Sequence, residues 1–200
     1  MEEQQFTAED GLRVIREMIS KTKEDLTYDS FYLLLWGWLV ISICLLQFIL
    51  LEYFKWPYHY LAWTLIWIGI IASIIRAITE KRRERVRTYV GDALKYIWLG
   101  MFAAFIILGS VCGILQLWQA CFPLYIILYG LGTFISGGLI RFRPLMIGGT
   151  ACWVLAIVAA LVPYDVQIVL GAVAILVSYV IPGHMLRYRQ IQRHKLSQAS

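Results

Sequence analysis

Charge is what this chain is short of. Only 16% of its residues are Asp, Glu, Lys or Arg, where an ordinary soluble domain carries about a quarter. The deficit is concentrated in long apolar runs whose interiors contain no Asp, Glu, Lys, Arg or mid-depth His. Ionisable groups at membrane depth are the usual mark of proton relays, ion paths and intramembrane catalysis. Their absence argues against a proton-coupled carrier and against most membrane enzymes. No His-Glu-x-x-His zinc set is present for an intramembrane metalloprotease. A phosphotransferase would need acidic and basic clusters at one face, and the expected outer face has only Glu52 and Asp165. No enzyme activity, metal or cofactor is therefore expected.

Cysteine is also sparse. Cys44, Cys112 and Cys152 lie inside apolar runs and Cys121 in an expected short loop. No two have zinc-ligand or redox spacing, so the first three read as small packing residues. The start lacks signal-peptide character, because about thirty polar residues precede an apolar run too long for a signal core. Nor does Met1-Glu2-Glu3 match a myristoylation site. Of the five prolines, Pro57, Pro123, Pro144 and Pro163 fall at run ends, where proline is tolerated. Pro182 alone lies inside a run and is expected to kink or loosen its last turn.

What the chain has in quantity is apolar sequence, 60% of all residues. A membrane-crossing helix needs about 20 mainly apolar residues. Six runs qualify: 31–53, 60–79, 97–118, 122–140, 144–162 and 166–186. The predicted fold class is all-α, a polytopic membrane protein with six transmembrane helices in three hairpins. A cytoplasmic amphipathic helix occupies 1–30, the membrane domain 31–189 and a basic cytoplasmic tail 190–200.

Seventeen of the eighteen Lys and Arg fall on one side of this arrangement, leaving only Lys55 on the other. The positive-inside rule puts the basic side, and both termini, in the cytoplasm. The same distribution explains the net charge of +5 as topology, so direct nucleic-acid binding is not expected. Trp56, Tyr58, Tyr60, Trp63 and Trp118 gather at outer span ends, and Tyr28, Tyr32, Tyr96, Phe142 and Tyr188 at inner ones. Two interfacial aromatic belts follow.

Even-numbered spans end alike. Residues 72–76 read Ala-Ser-Ile-Ile-Arg, 137–143 Gly-Gly-Leu-Ile-Arg-Phe-Arg and 183–189 Gly-His-Met-Leu-Arg-Tyr-Arg. Three repeated hairpins would produce this pattern; so would the general preference for small residues and Arg at inward exits. Small residues crowd the later spans, including Gly109 and Gly113, Gly130, Gly137, Gly148, Gly149 and Gly171. Such residues let helix backbones approach in lipid. Spans three to six are thus expected to form the tight core, with the bulky first hairpin packed more loosely outside.

The deepest polar side chains are expected to be Gln47 in the first span and Gln116 towards the outer end of the third. With Ser136 and other hydroxyls they either line a narrow path for an uncharged solute or bond locally to helix backbone. His59 and His184 read as interfacial residues without metal partners. On the cytoplasmic side, residues 7–27 predict a helix opened by Thr7 and Asp10. Leu12, Ile15, Ile19 and Leu26 form its apolar stripe. Four basic and six acidic residues surround that stripe between Glu9 and Asp29, a balance that favours docking on protein over anionic lipid. The surface it meets is either the chain's own basic 80–95 loop, with Arg82, Arg83 and Arg85, or a separate partner. That loop could equally meet lipid head groups.

The Leu35-Trp-Gly-Trp38 opening, the Gly-Gly-Leu-Ile-Arg-Phe-Arg-Pro run at 137–144, Ile147-Gly-Gly149 and Ile181-Pro-Gly183 resemble a family of small, uncharacterised bacterial six-span inner-membrane proteins. The resemblance covers nearly the whole chain, although His184 replaces the more usual aromatic residue after Pro-Gly. It implies a bacterial inner-membrane location and association with a winged-helix type transcription regulator. It brings no catalytic residues. Two functions follow as expectations. One is a non-enzymatic regulatory or scaffolding protein that holds a cytoplasmic partner through the N-terminal helix and the 80–95 loop. The other is a small transporter or channel subunit, which would need a homo-oligomer to enclose a path. In both, the lipid bilayer is the constant partner.

Overall fold

The structure is a computed structural model that describes residues 27–81 and 89–198. Every element among the described residues is helical. Helix α1 spans Thr27–Glu52. A 3-10 segment, His59–Leu65, leads into α2, Ile66–Lys81. Helix α3 is Tyr89–Ile114, α4 is Trp118–Leu139 and α5 is Arg143–Ala159. The last rod is α6, Tyr164–Ile175, a π turn over Leu176–Val180, and α7, Ile181–Gln198.

Five of these segments are long and apolar enough to cross a membrane: Ser30–Glu52, His59–Thr79, Val90–Ile114, Trp118–Leu139 and Tyr164–Arg189. The protein is an all-α, multi-pass membrane protein. Its apolar exterior agrees. Trp67, Ile68, Ile71, Ile74, Ile75 and Ile78 on α2 are each more than half exposed, at 62%, 58%, 56%, 53%, 60% and 56%. A soluble monomer could not carry so continuous an apolar stripe, whereas hydrocarbon is its natural solvent.

Helices α4 and α5 make the closest contact, and the cause is glycine. A Cβ on Gly149 would lie 2.8 Å from the carbonyl oxygen of Gly130 and 2.8 Å from the backbone nitrogen of Phe134. A Cβ on Gly137 would lie 2.8 Å from the backbone nitrogen of Met146. Phe134 and Trp153 then stack across the seam with ring centroids 5.3 Å apart. Gly148 faces the other way, where a Cβ would come within 2.8 Å of the Ser178 Cα in the π turn.

The inner packing differs from expectation in which helix is central. Helix α1, not α3, joins α4–α7 in the core. Val40, Ile43 and Cys44 are buried, and a Cβ on Gly37 would meet the Val180 side chain at 2.8 Å. Helix α3 is peripheral, with only 11% of its span window buried, the same as α2. The reason lies in what the glycines face. Gly109 and Gly113 look onto the Tyr125 hydroxyl and the Trp118 ring, which are bulky side-chain tips that hold backbones apart. Gly37 looks onto the π turn itself.

Helix ends were also displaced. The third run was expected to reach residue 118, but α3 stops at Ile114. Leu117 N–H donates to the Cys112 carbonyl at 2.8 Å and Gln116 N–H to that of Gly113 at 3.3 Å. With Gln116 at φ 56°, this is a Schellman stop. Helix α4 ends the same way, Phe142 N–H donating to Gly137 at 2.9 Å, Arg141 N–H to Gly138 at 3.2 Å, with Arg141 at φ 53°. Because α4 begins as early as Trp118, Pro123 lies inside the helix rather than at its end, and Cys121 is buried in the helix rather than placed in a loop. Pro182 does disturb its helix, one turn earlier than expected. It has no N–H to continue the ladder, and the preceding residues widen into the π turn.

Candidate functional site

Arginine–aromatic contacts lie at one end of the bundle and the Gln47 hydrogen-bond cluster at the other. At one end, called here the basic end, the Arg76 guanidinium lies 4.6 Å from the Phe31 ring centroid and that of Arg189 lies 5.2 Å from Phe142. Such stacking offsets part of the cost of holding a cation beside an apolar surface. Arg141 and Arg143 flank Phe142 in the α4–α5 turn.

At the other end, the aromatic end, the side chains assemble around one amide. Gln47 projects from α1 and is only 1% exposed. Its Oε1 accepts the Trp63 Nε1–H at 2.7 Å. Its Nε2 donates to the Tyr164 hydroxyl at 3.1 Å and stands 3.2 Å from His59 Nδ1. Trp63 and His59 come from the 3-10 segment, and Tyr164 is the first residue of α6 after the Pro163 cap. One buried amide thus ties α1, the opening of α2 and α6 together. Aromatic rings complete the site: Phe122 packs on Tyr164 and Trp63 with centroids 5.5 Å and 6.3 Å away, and His59 on Tyr164 at 6.0 Å.

Below this cluster a small apolar pocket is lined by Val40, Cys44, Trp63, Phe122, Tyr125, Tyr129 and Gly171, among others. Among the described residues, no three His, Cys, Asp or Glu side chains gather as a metal site would require.

The three side chains considered for a polar path do not converge. Gln47 is at the centre of the cluster. Gln116 is exposed in the α3–α4 turn, where Nε2 donates to the Gly113 carbonyl at 2.8 Å and Oε1 accepts the Trp118 Nε1–H at 3.0 Å. Ser136 is buried in the last turn of α4 and donates to the Gly132 carbonyl four residues back at 2.7 Å. Thr133 does the same to Tyr129 at 2.6 Å. These are local helix bonds. The expected partner-binding residues Leu12, Ile15, Ile19, Leu26, Arg82, Arg83 and Arg85 lie outside the described residues.

Two members of the polar interior were not singled out from sequence. Tyr164 sits between Pro163 and Asp165, in the connection between the runs 144–162 and 166–186. Gln167 is 1% exposed and its Nε2 donates to the Val162 carbonyl at 3.0 Å, closing the α5–α6 turn. The available signal was Gln47 itself. A glutamine that deep in a span needs a partner from another helix, and tyrosine or tryptophan at a span end supplies one.

Comparison with family models, curated proteins and solved structures returned no match.

Proposed function

We propose that this is a non-enzymatic, six-span inner-membrane protein of regulatory or scaffolding type, with both termini in the cytoplasm. Its working surface is the cytoplasmic one. The N-terminal helix and the basic 80–95 loop engage a protein partner there, and the family resemblance suggests a winged-helix type regulator. The observation that carries this reading is that Gln47, Thr133 and Ser136 inside the bundle and Gln116 at its edge are each bonded to neighbours. That use leaves packing, rather than a solute path, as their role. Charged side chains are concentrated in the sequence outside the apolar spans.

Counting α5 as the sixth span is supported by its lie along α4, from the Gly137–Met146 contact to the Trp153 Nε1–H bond to the Ile127 carbonyl at 3.3 Å. Its 17 residues rise about 26 Å, close to the hydrocarbon thickness of about 30 Å. An even count also keeps Arg76, Arg141, Arg143, Arg187 and Arg189 on one side.

Two measurements test the proposal. Single cysteines at Lys55 and Arg141, in a background without the native thiols, should differ in intact cells: only Lys55→Cys should react with a membrane-impermeant maleimide. Labelling of both, or of Arg141→Cys alone, would refute the topology. For the partner, deletion of residues 1–27 and charge reversal of Arg82, Arg83 and Arg85 to Glu should each abolish a cross-linked complex seen with the intact chain. Insertion should be unaffected. An unchanged complex in both would sink the scaffolding reading.

A further inference from the structure

The donor and acceptor identities around Gln47 determine the protonation state of His59. An indole nitrogen can only donate. The Trp63 Nε1–H at 2.7 Å therefore requires the carboxamide oxygen of Gln47 to face Trp63. The amide NH₂ must then face Tyr164 and His59. An NH₂ group has no lone pair to offer, so His59 Nδ1, 3.2 Å away, must be the acceptor. A histidine accepting at Nδ1 is neutral and carries its proton on Nε2. Protonation would put a second N–H where the amide already presents one, turning an attraction into a donor–donor clash.

We propose that His59 is the proton-sensitive catch of a latch that holds the opening of α2 to α1 and α6, closed when His59 is neutral and released when it is protonated. At this end α2 is entered through the 3-10 segment, whose Trp63 also packs on Phe122 and whose Ala62 is buried. Its other ties to α1 lie nearer the basic end: Trp36 Nε1–H donating to Ser73 Oγ at 3.2 Å, the Gly69–Leu39 contact, and Arg76 over Phe31. The backbone entering the 3-10 segment is held by a His59 N–H bond to the Trp56 carbonyl at 3.2 Å. His59 is neither buried nor fully exposed, so protons reach it from the adjoining water.

Tyr60 from its own segment and Tyr164 from α6 meet its ring at 6.1 Å and 6.0 Å, and the charged residues of the flanking segments are Glu52, Lys55 and Asp165. No ion pair joins His59 to Glu52 or Asp165 among the described residues. Protonation therefore brings no compensating salt bridge in the closed form. This inference does not depend on the scaffolding reading or on any partner.

Hydrogen exchange of the full chain in lipid nanodiscs tests it, with backbone amides of 59–65 normalised at each pH to those of 148–156 in the tight α4–α5 seam. Between about pH 8 and about pH 5, the range in which histidine charges, protection of 59–65 should fall about tenfold, the scale of one lost buried hydrogen bond and its orphaned donor. His59→Asn keeps an acceptor oxygen but cannot charge, and should change by less than about twofold over the same range. His59→Ala should be weakly protected at both pH values, which keeps the test decisive if the asparagine variant folds poorly. In ¹⁵N-tryptophan protein, the Trp63 indole resonance, assigned by its loss in Trp63→Phe, should move with pH in the native chain and stand still in His59→Asn. A native chain whose 59–65 protection does not change with pH, or an asparagine variant that responds as the native chain does, would overturn the proposal.

Discussion

The α4–α5 seam is the place where one methyl group should matter most. Replacing Gly149 by Ala puts a Cβ 2.8 Å from the Gly130 carbonyl oxygen, 2.8 Å from the Phe134 nitrogen and 2.9 Å from the Phe134 Cβ. Ordinary contact begins near about 3.5 Å, and two of the three obstacles are backbone atoms that cannot rotate away. The helices must separate by about 0.7 Å, which forfeits a quarter to a half of each contact along the seam. Overpacking of this kind costs about 1–3 kcal/mol, partly offset by the helix preference for Ala over Gly of up to about 1 kcal/mol. A net loss of about 2 kcal/mol follows. Gly138 is the control, because a Cβ there meets nothing within 4 Å. Gly138→Ala should be neutral or gain up to about 1 kcal/mol. The four cysteines are all buried and free, so a thiol-reactive dye reports unfolding in detergent directly. For a chain of this size the two variants should differ by about 4–12 °C in Tm. Equal midpoints, or a more stable Gly149→Ala, would refute the reading that backbone contact sets the approach of these helices.

Two further outcomes are expected. Gln47→Leu removes the hub of three interhelical bonds, each worth about 0.6 kcal/mol in membrane proteins, and should lower stability by roughly 2 kcal/mol in the same dye assay. Gln116→Gly and Arg141→Gly each place glycine at a left-handed Schellman position, φ 56° and 53° in the native chain. Relief of that conformation is worth about 1 kcal/mol, opposed at Gln116 by loss of its exposed turn bonds. Arg141→Gly should therefore raise the Tm by a few degrees and Gln116→Gly by less, whereas a fall at Arg141 would contradict the cap assignment.

The all-helical, multi-pass character and the approximate limits of the five long apolar helices were legible from residue order. Each depends on how a segment partitions between water and hydrocarbon, which is a property of the segment alone. The expected crowding of glycines was legible too, as a list of small residues. Which of them actually meet backbone was not. Gly109 and Gly113 have the same spacing as other small-residue pairs, yet they face side-chain tips. Gly37, in a helix full of Trp and Leu, faces the π turn.

The polar interior separates the two kinds of information most clearly. Gln47 stood out from the sequence because glutamine in the middle of an apolar run is costly without a partner. Its assignment to a hub required tertiary structure, since Tyr164 lies 117 positions away along the chain. Gln116 looked equivalent to Gln47 and proved to be a turn residue, because α3 ends two positions before it. Hydropathy by itself determined that this chain crosses a membrane several times. Only the tertiary structure decided that α1 belongs in the core and that one amide holds three helices at the aromatic end. Membrane partitioning is set residue by residue, whereas packing and hydrogen bonding are set by pairs that the chain brings together from far apart.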